Sequence, residues 1–89
     1  MTTQAATKLE RMPKVIKRYG LSRSTFYTRI KDGLIPPPVS LGNRAVAWVE
    51  QENTTVLTAM IAGKSKEEIK ALVRSLIKER SKLESGEGE

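Results

Sequence analysis

Within one stretch of nine residues the chain places Arg23, Ser24, Thr25, Thr28, Arg29 and Lys31. These are long cations and short hydroxyls. A guanidinium can pair with O6 and N7 of guanine, and Ser or Thr can bond base edges or phosphate oxygens. The set suits recognition and does not suit catalysis. There is no His and no Cys, so a His-dependent triad cannot be assembled, and no nucleophile–base pair supports an enzyme. Without imidazole or thiolate, the usual zinc sites and all disulfides are excluded. A carboxylate-only magnesium site would need a paired acidic motif, and none is visible. Neither a cofactor nor a metal is expected. Two further residues of the recognition type, Asn43 and Arg44, lie downstream.

Such side chains need a helix anchored along its other face. At ~100° per residue, Phe26, Tyr27 and Ile30 gather on the inward side. Thr25 and Thr28 then face outward, flanked by Ser24, Arg29 and Lys31, with Arg23 at the N-terminal end. Tyr27 has the form of a base-stacking residue, but its spacing assigns it to the core. The preceding "RYGLS" reads as a helix end, a glycine turn and a helix cap. A first helix starts at Pro13, since a proline suits the first turn, and Val15, Ile16 and Tyr19 give it an apolar face. Gly20 ends it. Ser22 caps a second helix over about 23–32, and Gly33 stops that one. Two helices joined by a short glycine turn form a helix-turn-helix, although other helical hairpins share the pattern.

Pro36, Pro37 and Pro38 cannot continue a helix. Beyond them, "VSL", "GN" and "RAVAW" read as a hairpin turning at Gly42–Asn43. The hairpin is a wing over about 39–48, closed by Trp48, and the triproline is the stiff spacer that sets where it hangs. Read as a ligand for a proline-binding domain, the triproline would need a longer exposed run.

Further on, Val56, Leu57, Met60 and Ile61 mark one face of a helix closed by Gly63. Ser65 and Glu68 form a capping box. Ile69, Leu72, Val73, Leu76 and Ile77 follow at helical spacing. This stripe must be buried, either by completing the chain's own thin core or by pairing with a second copy. The expected fold is therefore mainly α with a small β-hairpin wing: a winged helix-turn-helix plus C-terminal helices. Its parts are a flexible arm over 1–10, a winged unit over 11–52, a helical extension over 53–83 and a disordered acidic tail over 84–89.

The net charge of +6 is unevenly distributed. Residues 1–47 hold nine Lys and Arg against two acids, and the remainder seven against eight. A basic half joined to a near-neutral half is the electrostatic footprint of a nucleic-acid-binding face. The N-terminus lacks the apolar core of a secretion signal, and no apolar run approaches a membrane span. The expected location is the cytoplasm, with the nucleoid.

The segments "GLSRSTFY", "IKDG", "PPPVSLGNRAVAW" and "VEQE" together resemble the AlpA family of phage-type regulators over about Arg11 to Glu52. That family shares a winged-helix shape with excisionases and, more distantly, with MerR-type DNA-binding parts. The resemblance implies a double-stranded DNA partner and the control of transcription or of prophage or island excision. Excision would add an integrase as partner and assembly along DNA. It carries DNA-reading roles to Arg23, Ser24, Thr25, Thr28 and Arg29, and to Asn43 and Arg44 in the wing. It says nothing of the last helix. That helix leaves open a different function, an adaptor or anti-regulator that binds an integrase or another protein through its stripe.

Overall fold

The computed structural model describes residues 8–85. Residues 1–7 of the expected arm and 86–89 of the expected tail lie outside the described residues, while Glu84 and Ser85, expected in the tail, are the last residues of a helix. The chain begins with β1 (Leu9–Glu10) and α1 (Met12–Tyr19), whose first turn carries Pro13. Gly20 takes a left-handed φ of 69° and donates to the carbonyls of Ile16 and Lys17. A side chain here would meet no neighbour, so the need for glycine is conformational. Two residues later Ser22 caps α2 (Arg23–Lys31), its Oγ accepting from the Thr25 N–H at 3.3 Å. Gly33, at φ 80°, ends the helix, and Leu34 N–H reaches back to the Arg29 carbonyl at 2.9 Å.

The wing is β2 (Val39–Gly42) and β3 (Ala45–Val49), antiparallel, with an irregularity between Ser40 and Gly42 that leaves Leu41 unpaired. This bulge moves the turn one residue beyond the Gly42–Asn43 expectation. Gly42 pairs with Ala45, and the two loop residues are Asn43 and Arg44, with φ of 47° and 66°. Two consecutive left-handed residues match the right-handed twist of a hairpin. A third strand was not legible in advance. β1 pairs with β3 through Leu9 to Val49 and Glu10 to Trp48, giving the order β1-β3-β2. The flexible arm expected over 1–10 is therefore corrected: its last two residues are sheet. Two residues show no alternation, so only their tertiary pairing makes them a strand.

Two more helices complete the fold, α3 (Glu50–Ile61) and α4 (Lys66–Ser85). The capping box forms in both directions. Glu68 N–H donates to Ser65 Oγ at 3.1 Å, and Ser65 N–H donates to Glu68 Oε1 at 2.8 Å. The Ser65 N–H holds the Glu68 carboxyl below its ordinary pKa, helped by the Ser65 hydroxyl and the Lys64 charge. A depressed folded pKa contributes stability above the unfolded value and loses it as pH falls through the folded one. Glu68→Gln, which can still accept from Ser65 but carries no charge, is thus expected to lower stability modestly at neutral pH and to converge with the parent at low pH. It should flatten the loss below the ordinary value of 4.5, read from urea midpoints across the acid range.

One core cluster comprises Val15, Phe26, Ile35 and Trp48, with Met12, Ile16, Leu21, Ile30 and Val46 packed around it. A second comprises Val56, Ile69 and Val73, and Tyr19 packs on both. The stripe on α4 therefore completes the chain's own core, with Ile69 and Val73 at 4% and 2% exposure. Leu72 and Leu76 pack at its edge, and Ile77 is 39% exposed. Pairing of two copies through Ile69 and Val73 would require opening this core. Ile61 is also corrected: at 86% exposure it does not belong to the apolar face of α3. It sits ~140° around the helix from Val56, too far to share its neighbours. None of the described helices is long and apolar enough to cross a membrane.

Candidate nucleic-acid interface

Phe26 is the anchor of α2. It is fully buried, with its ring centroid 5.4 Å from Trp48 and 6.1 Å from Tyr19. Ser24, Thr28 and Lys31 lie ~140–200° around the helix from it, and all three are exposed. Arg23 and Thr25 are exposed as well, at the N-terminal end. The face is ordered by its own hydroxyls. Ser22 Oγ donates to Thr25 Oγ1 at 2.9 Å, and Thr28 Oγ1 donates to the Ser24 carbonyl at 3.0 Å. The Thr28 proton is thus engaged, while the side chain stays exposed.

Two residues sit differently from expectation. Tyr27 is 46% exposed rather than core, because it lies ~100° from Phe26 and meets that ring edge-on at 5.9 Å. Its hydroxyl approaches Met12 Sδ at 3.5 Å. Arg29 is half-buried on the other flank, ~60° from Phe26. There it lines a hollow with Leu34, Met60, Ile69, Lys64 and Lys66. Asn43 and Arg44 are exposed at the wing tip, apart from the α2 face in sequence and both left-handed.

The residues that fix the angle between helices and wing were not singled out by sequence reasoning. Arg80 on α4 makes a bidentate pair with Glu52 on α3, at 2.7 Å from Nε and 2.6 Å from Nη2. The same Nη2 donates to the Pro37 carbonyl at 2.7 Å. The end of α4 thereby holds the triproline, in which Pro36 is fully buried. On the opposite side Arg18 joins Glu10 of β1 and Thr54 of α3, each at 2.7 Å. Beside it the Tyr19 hydroxyl donates to the buried Asn53 Oδ1 at 2.8 Å, and burial raises that phenol's pKa. The available signal was weak: Glu52 and Asn53 are polar residues adjoining an apolar helical face. Among the described residues no three acidic side chains converge to hold a metal ion.

The family model described as prophage CP4-57 regulatory protein (AlpA) matches residues 8–54. The matched segment starts with β1 and ends at Thr54, the residue that receives Arg18. It contains α2 and the wing and leaves α4 outside. The ORF88 protein of Enterobacteria phage P4 is 46% identical over 56 residues, which are 63% of this chain and 64% of that relative. The chain thus spans less than two thirds of that relative's length. No solved structure matches the chain.

Proposed function

The chain belongs to the AlpA family of phage regulatory proteins, and on that premise we propose that it is a non-enzymatic, sequence-specific binder of double-stranded DNA serving a mobile element. Residues 11–52 are the DNA-binding unit, and 53–83 complete its core and brace it. α2 enters the major groove with Arg23, Ser24, Thr25, Thr28 and Lys31. The wing lays Asn43 and Arg44 on the backbone or in the minor groove. Arg29 approaches from the flank, where its half-buried position suits a phosphate better than a base edge.

One observation carries this reading: the α2 face opposite Phe26 is open and holds only hydroxyls and a cation beside the N-terminal Arg23. Short hydroxyls and cations beside a capped helix N-terminus suit base edges and phosphates. The wing tip supports it too. Arg44 holds a backbone conformation costly for a non-glycine residue, and such strain clusters at functional positions.

The test is a titration against DNA carrying the protein's own promoter and the neighbouring attachment region, with competitor DNA, at two salt concentrations. Saturable binding at a defined repeat is expected. A repeat over the promoter marks transcriptional control, and repeats beside the attachment site mark a recombination directionality factor working with an integrase. Weak binding to any duplex, erased by salt, would refute sequence recognition. Arg23→Ala should relax discrimination at one base-pair position by about 1–3 kcal/mol. Arg44→Ala should instead weaken all sequences alike and make the salt slope shallower by about 0.9.

A further inference from the structure

The near-neutral sum of the C-terminal half conceals a sorted helix. Lys66, Lys70, Arg74 and Lys78 recur at every fourth residue of α4. Each step turns ~40° about the axis, so the four wind along one flank over roughly 18 Å. Glu68 and Glu79 fall on the other flank, Glu68 in the capping box and Glu79 beside Lys82 at 3.4 Å. Between Lys66 and Lys82, Glu67 is the one acid of α4 that shares the cationic side. None of these four cations, nor Lys64, has a carboxylate within ion-pair distance among the described residues. Like charges four residues apart repel on a helix.

The row also adjoins α2. Lys64 and Lys66 share with Arg29 a hollow of about 260 Å³. Lys70 and Arg74 border the next hollow, whose other wall includes Ile30 and Asp32 at the C-terminal end of α2. Arg29 from α2, Lys64 from the α3–α4 turn and Lys66, Lys70 and Arg74 from α4 thus border two hollows, with Asp32 across from Lys70 and Arg74.

We propose that this flank of α4, with Lys64, is a second DNA-contact surface, which binds the phosphates of the duplex that α2 reads. The inference rests on the DNA-binding reading above and extends it to a helix outside the family match. A strand carries a phosphate about every 3.4 Å of axis, and a row of roughly 18 Å is long enough for its cations to reach several of them. Lysine and arginine at this spacing neutralise a backbone without reading sequence. The extension therefore supplies affinity while α2 supplies discrimination.

The experiment compares the full chain with its K66Q/K70Q/R74Q/K78Q variant on a mixed-sequence B-form duplex. The observed affinity is followed as a function of salt. Glutamine preserves helix propensity, and circular dichroism checks that α4 is intact. Each lost phosphate contact removes about 0.9 from the slope of log affinity against log salt. The expected result is a slope shallower by about 3–4, with the preference among specific sites retained. A variant with Lys66, Lys70 and Lys78 changed to Arg should keep the parental slope. If the parent binds duplex and the glutamine variant has the same slope, the second surface is refuted, and the row belongs to an acidic protein partner or to solvent. If the parent itself does not bind duplex, the DNA-binding reading fails first.

Discussion

Arg80→Met is expected to lower the unfolding free energy by about 3–5 kcal/mol, the usual result of leaving one partner of a buried ion pair alone. Glu52 has a side chain only 8% exposed, and Arg80 one that is 21% exposed. Removing the guanidinium strands a carboxylate that water reaches poorly, and also frees the Pro37 carbonyl. The methionine fills much of the arginine stem's volume, so lost packing is a small part of the effect. Replacing both partners, Glu52→Leu with Arg80→Met, should recover most of the loss, because the pair's desolvation cost disappears with it. Urea unfolding followed by the emission of the single Trp48 measures both variants. A loss below about 1 kcal/mol for the single change, the range of exposed pairs, would mean that solvent already screens the bridge. Because Arg80 also holds the triproline, the single variant should weaken, under the DNA-binding reading proposed above, its hold on duplex even where it remains folded.

The second large effect is expected at Phe26. Truncating a buried Phe to Ala costs about 3–5 kcal/mol. Here the ring contacts Trp48, Tyr19 and Tyr27 at once. Small domains have total stabilities of about 5–15 kcal/mol, so Phe26→Ala should place much of the population near its unfolding transition at ordinary temperature. The measurement is the Trp48 emission maximum together with the urea midpoint. A red-shifted maximum without denaturant is expected. A maximum and midpoint like the parent's would show that neighbouring side chains collapse into the space, and that Phe26 does not anchor the α2 face.

The helix ends were the most legible part of the sequence. Gly20, Ser22, Gly33 and Ser65 act through hydrogen bonds to their own neighbours, so local pattern carries them. The wing was legible as a hairpin, but its turn was displaced because the bulge at Leu41 depends on pairing with β3. β1 was invisible for the same reason. On α2, angular position placed Ser24, Thr28 and Lys31 outward and Phe26 inward, yet misjudged Tyr27 and Arg29 at the boundary. A residue ~60–100° from the buried centre is decided by what stands beside the helix, and for Arg29 that is the α3–α4 turn. The polar pairs of Arg18 and Arg80 join residues 8, 28 and 36 positions apart or more. No periodicity links such partners. Charge totals misled in a further way, since they report a sum and not which flank of a helix each charge occupies.

The bond from Arg80 to the Pro37 carbonyl spans 43 positions, and this bears on the order in which a growing chain becomes competent. α1, the glycine turn and α2 are close in sequence and can pack once Trp48 is available to Phe26. The wing brace cannot form then. Contacts of long sequence separation form late because their loop closure must come first, and this one has no partner until Arg80 has left the ribosome. A product stopped after the wing would carry α1, α2 and the hairpin and lack both the second core cluster and the tie on the triproline. At synthesis rates of about 5–20 residues per second, the regulator therefore passes through a few seconds in which its reading helix exists without its brace. Chains interrupted before the last helix lack that brace and the second core cluster, and so expose apolar surface that the complete chain buries.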